Sequence, residues 1–135
     1  MKRFITFNMI FVGIVALFGA GDSFAQASQT TPQATAELQE ASKLSARAVA
    51  LYGEGKHDEA LALAKQVLSI REKALGKEDL LVGDAHFNLA GIYVGKHNFP
   101  NADMHYQTAL SIREKSLGVN HLKVSEALEG LAWVK

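Results

Sequence analysis

The 135-residue sequence predicts an all-α fold of antiparallel helix pairs stacked in a short array, and three observations predict it. The string LSIREKALG at Leu68–Gly76 recurs as LSIREKSLG at Leu110–Gly118, an offset of 42 residues. In that register residues 41–82 match residues 83–124 at 13 of 42 positions, well above the roughly 6% that ordinary composition gives by chance. Within each copy apolar residues recur at spacings of three and four, the period of a helix buried along one side, and no strand pattern follows the N-terminal segment.

The N-terminal segment reads as an address. Lys2 and Arg3 precede an apolar run from Phe4 to Gly21 in which only Thr6 and Asn8 are polar, and small residues follow at Ser23, Ala25 and Ala27. That order is the pattern of a secretory signal peptide, residues 1–25, with cleavage after Ala25 favoured and after Ala27 second. An uncleaved anchor is the competing reading, because the run is close to the shortest that spans a bilayer. Cleavage leaves 12 basic and 13 acidic residues, a chain expected to be periplasmic or secreted and not inserted in the membrane. Residues 26–36, QASQTTPQATA, carry no charge and no large apolar side chain, so a disordered linker is expected there.

The folded part then runs over 37–135, with repeat one at 41–82, repeat two at 83–124 and a partial third repeat at 125–135. In repeat two, Val82, Ala85, Leu89, Ile92 and Tyr93 form the first stripe, and Ala102, Tyr106, Ala109, Leu110, Ile112 and Leu117 the second. Gly95 to Phe99 is the turn. Asn98 is the expected N-cap with Pro100 in the first turn, while Lys73 and Lys115, followed by Gly76 and Gly118, are C-terminal signals. Ala127, Leu131 and Ala132 repeat Ala85, Leu89 and Ala90, so a third copy starts at Ser125.

NLAGIY at Asn88–Tyr93, GKHDEA at Gly55–Ala60 and the paired IREK-x-LG endings resemble the tetratricopeptide repeat, and the 42-residue period resembles its kinesin-light-chain type. The resemblance covers roughly residues 41–135 and implies a right-handed superhelix whose first helices line a concave groove holding an extended peptide. It further implies that Asn88 bonds the peptide backbone, since a carboxamide offers a donor and an acceptor together. Only Asn88 carries this over, because Ala46 and Gly130 occupy the equivalent positions. Arg47 also departs from the pattern, which prefers Leu there.

The groove stripe expected on the first helix of repeat two is Asp84, Phe87, Asn88, Gly91 and Val94. Phe87, Val94 and Trp133 are the expected apolar anchor pocket, with Ser42, Ser45, Val49 and Tyr52 contributed by repeat one. The alternative for Phe87 and Trp133 is packing on neighbouring helices. Gly91 and Gly95 each cost about 1 kcal/mol relative to Ala inside a helix, so they either leave room for an approaching backbone or permit close packing and a turn. Val124, Leu128, Leu131 and Val134 form a stripe on the last helix whose usual partner helix does not follow in the sequence.

Composition and motifs exclude several function classes. There is no Cys, and Lys+Arg and Asp+Glu balance at 14 each, which removes thiol chemistry, a disulfide framework and nucleic-acid binding by bulk charge. The five His form no HExxH or HxH pattern, so no metal or other cofactor is expected, and His57, in the place of Phe99, reads as a half-buried packing residue. GIYVGK at Gly91–Lys96 is too short for a phosphate loop and lies on a helix. No nucleophile and base are paired, so the chain is not expected to be an enzyme. The expected partner is a protein or peptide. The runner-up is a structural protein that self-associates through its last helix, or a remnant of a longer repeat array.

Overall fold

In a computed structural model residues 31–135 are described, and the expected signal peptide lies outside them. Five helices follow one another: α1 Pro32–Gly53, α2 His57–Leu75, α3 Leu80–Gly95, α4 Phe99–Leu117 and α5 Leu122–Val134. Connections of three or four residues force sequential helices to lie antiparallel as neighbours. The α1–α2 and α3–α4 pairs make the most extensive contacts, α2 packs on α3 and α4 on α5, and the first helices touch as α1–α3 and α3–α5. Among the described residues there is no strand, and no helix is long and apolar enough to cross a membrane.

The linker expected through Ala36 is corrected over residues 32–36, which form the first turns of α1. Pro32 opens the helix, where its missing N–H has no intrahelical acceptor to lose. Ala34 and Ala36 extend a helix already nucleated by the packed segment beyond them, and propagation from a formed helix is far less costly than starting one. Lack of apolar side chains argues against a core, and α1 needs none in its first turn.

The repeat predicted from IREK-x-LG recurs atom by atom at the helix ends. Gly76 and Gly118 adopt φ 86° and 84°, and their N–H groups donate to Glu72 O and Glu114 O at 2.9 Å. Only glycine takes that left-handed conformation without a Cβ penalty. Asp79 accepts from Leu81 N, and its equivalent His121 accepts from Lys123 N through Nδ1. Asn98 caps α4 as expected, accepting from Asn101 N at 3.4 Å.

The core is centred on α3, which is buried along most of its length. Leu89, Ile92 and Tyr93 pack against Ala48, Leu51, Ala60, Ala64 and Ala102, while Ala90 meets Tyr106 and Leu131. On α5 the buried stripe is Val124, Ala127 and Leu131, with Val134 packed beside them. Leu128, expected in that stripe, is 48% exposed. Val124, Ala127 and Leu131 take the inward face, and Leu128 stands beside that stripe, because α5 is covered only by α4 and α3.

Candidate functional site

A cavity of about 190 Å³ opens between α1 and α3. Ser45, Val49 and Tyr52 of α1 form one wall, Phe87, Asn88 and Gly91 of α3 the other, and Ala64 and Val67 of α2 the floor. No charged side chain lines it. Its origin is a difference between the two copies. Where repeat two has Phe87 and Tyr106, whose rings meet edge to face at 5.4 Å, repeat one has Ser45 and Ala64. The two aromatics fill the space between α3 and α5, and the two small residues leave the corresponding space between α1 and α3 open. Tyr106 also accounts for Gly130, since a Cβ there would stand 2.6 Å from the Tyr106 ring.

Of the expected site residues, the structure brings together Tyr52, Phe87, Asn88 and Gly91, along with Ser45 and Val49. Among the described residues the Asn88 carboxamide makes no hydrogen bond, so both its donor and its acceptor face the cavity and solvent. The two glycines part company. A Cβ on Gly91 would meet nothing within 4 Å, so Gly91 widens the cavity wall; one on Gly95 would press on Tyr52 and His57 at 2.8 and 2.9 Å, so Gly95 serves close packing. His57 is half-buried beside Tyr52, their ring centroids 5.1 Å apart.

Asp84, Val94, Trp133 and Ser42 do not line the cavity. Asp84 is taken up internally: Arg113 Nη2 donates to its Oδ1 at 2.8 Å and Lys123 Nζ to its Oδ2 at 2.7 Å. Burial alone would raise its carboxyl, but the hydrogen bonds from Lys123 and Arg113 outweigh that and hold it below the usual carboxylate range. Val94 packs into the core. Trp133 lies at the far end of the array, 66% exposed, its ring 5.9 Å from that of Phe99. Ser42 is exposed and donates back to Leu38 O at 3.0 Å. Ser42, Asp84 and Val94 each stand one turn along the helix from a lining residue, whereas Trp133 is on α5, which does not line the cavity.

Arg71 and Arg113 are the residues that sequence reasoning missed, each standing inside the charged string IREK. Both are buried. Arg71 Nη1 donates to Leu81 O at 3.0 Å and Arg113 Nη1 to Lys123 O at 2.8 Å, so each ties its helix to the start of the following helix. The Arg113 guanidinium also sits 4.2 Å from the centroid of the Phe87 ring, a cation–π contact that fixes the ring at the cavity wall. The signal was present: Ala102, Tyr106, Ala109 and Arg113 stand at spacings of four, three and four, on the buried stripe of α4.

The tetratricopeptide repeat family model matches residues 39–102 and again residues 81–135. Comparison with curated proteins finds no matching relative. Two overlapping matches that span nearly all of the described helices, on a chain with paired helices in 42-residue register, make the chain a member of the tetratricopeptide repeat family.

Proposed function

We propose that the cavity between α1 and α3 holds an extended segment of a partner protein, with Asn88 on its backbone and an apolar side chain in the cavity. Repeats of this family suggest a protein–protein interaction module, and the observation that carries the finer reading is the unpartnered Asn88 carboxamide at the edge of an uncharged cavity. A peptide group needs a donor and an acceptor together, which Asn supplies without regard to the peptide's side chains. A cavity of about 190 Å³ takes one side chain, given that an apolar cavity of about 150 Å³ takes a benzene molecule. The apolar N-terminal segment after Lys2-Arg3 further supports export, with the module working in the periplasm or outside the cell.

Selection of random peptides on the immobilised protein tests the binding. Peptides recovered on the wild type are expected to lose about tenfold in affinity on Asn88→Ala, the worth of one lost hydrogen-bonding pair, and more on Phe87→Ala. Unchanged affinity on both variants would move the site elsewhere. A second reading rests on α5, where Leu122, Leu128 and Trp133 are each exposed: association of copies through this end. Sedimentation equilibrium separates the two, since that reading requires a concentration-dependent dimer that Trp133→Ser and Leu128→Ser abolish.

A further inference from the structure

We propose that His86 and His105 form an acid-sensitive joint between α3 and α4, closed while at least one ring is neutral and opened when both are cations. Their Nδ1 atoms are 2.8 Å apart, across the interface of the helix pair that carries Phe87 and Asn88. At that distance one Nδ1 donates its hydrogen and the other accepts with its lone pair. His105 also stacks on Tyr93 of α3, the ring centroids 5.4 Å apart and the planes at 9°. The chain brings together two histidines that stand 19 residues apart in sequence.

The fold does not require a histidine at either place. In the α1–α2 pair the same two positions are Leu44 and Leu63, both half-buried and packed against the core. A leucine pair gives apolar area alone, whereas two imidazoles at a half-buried interface have to satisfy each other. Repeat two thus exchanges a plain packing contact for a titratable one. Among the described residues no three His, Cys, Asp or Glu side chains converge, so the pair lacks the ligand set of a protein-held transition metal.

Charged groups on α2 set the order in which the joint takes up protons. Burial, the neighbouring His86 and Lys65 hold His105 down at about 4, while burial lowers His86 with Glu72 acting against it. The first proton therefore goes to His86, whose cation still donates to neutral His105. The second, on His105, sets N–H against N–H and two positive charges side by side. Both rings bind protons more weakly in the folded chain than in the unfolded one, where histidine titrates near about 6.5. Their contribution to stability is whole above that value, declines as the pH falls below it, and is lost by the time His105 titrates at about 4.

The test compares the full wild-type chain with His86→Leu/His105→Leu, which installs the repeat-one pair, by thermal unfolding followed by circular dichroism. Between about pH 7 and about pH 4.5 the wild-type midpoint is expected to fall roughly 5 °C further than that of the variant. Parallel falls would overturn the joint. Nitrogen-15 NMR of the wild-type imidazoles gives the answer even if the variant misfolds: a His105 ring that titrates at the unfolded value would also overturn it. Zinc chloride that raises the wild-type midpoint at neutral pH, and not the variant's, would assign the pair to metal ligation and contradict the proposal.

Discussion

Replacing Arg113 with Ala is expected to lower the stability of the repeat domain by about 3 kcal/mol, the cost of removing one partner from a buried ion pair. For a domain of this size that is a fall of roughly 15 °C in the unfolding midpoint. Arg113 is 3% exposed and meets Asp84, the Lys123 carbonyl and the Phe87 ring at once. Its loss leaves a half-buried carboxylate with only Lys123 and removes the tie from α4 to the Lys123 carbonyl at the start of α5. Arg113→Lys is expected to recover only part of the loss, because one ammonium cannot span the carboxylate, the carbonyl and the ring as a planar guanidinium does. Arg113→Ala is also expected to weaken peptide binding even at temperatures where it is fully folded, since Phe87 then keeps its edge contact with Tyr106 but loses the guanidinium over its face. Circular dichroism and peptide affinity, measured together, check both halves.

Leu89→Ala is the matching control, with an expected loss of about 3 kcal/mol from the cavity and the lost burial. Leu89 is 1% exposed and packs in the core between α3 and its neighbours, yet it is not a cavity-lining residue. Well below its unfolding midpoint the variant is therefore expected to bind peptide as the wild type does. If Leu89→Ala and Arg113→Ala weaken binding equally, the role of Arg113 reduces to general stability. If only Arg113→Ala does so, the guanidinium positions the groove.

The helices, their caps and their pairing were legible because they follow from local rules repeated twice: Gly76 and Gly118 ending helices, Asn98 starting one, and apolar residues at three and four. The start of α1 was not, because the residues at 32–36 are helical by extension from a packed segment and carry no apolar signal of their own. At the site, Tyr52, Phe87, Asn88 and Gly91 were legible as a stripe facing one way. Trp133, expected beside Phe87 and Val94 in an apolar anchor pocket, lies instead at the end of the array beside Phe99.

What stayed hidden was the chemistry between helices. Asp84 reads as a groove residue until Arg113 and Lys123, 29 and 39 residues further along, are seen to claim both its oxygens. The cavity itself depends on a comparison of copies, Ser45 and Ala64 against Phe87 and Tyr106. Each of those residues is ordinary alone, and the open space follows only when their positions are superposed through the repeat. The His86–His105 contact has the same character, since only register with Leu44 and Leu63 marks it as an interface pair.

If the cavity between α1 and α3 is the binding surface, a bound peptide must perturb the residues that line it. Nitrogen-15 chemical-shift mapping of the wild-type chain against a peptide selected on it tests this most directly. The largest shifts are expected on Ser45, Val49, Asn88 and Gly91, with the Asn88 side-chain amide moving as it takes up the peptide backbone. Shifts confined to Leu122, Leu128 and Trp133 of α5, with those four unmoved, would contradict it.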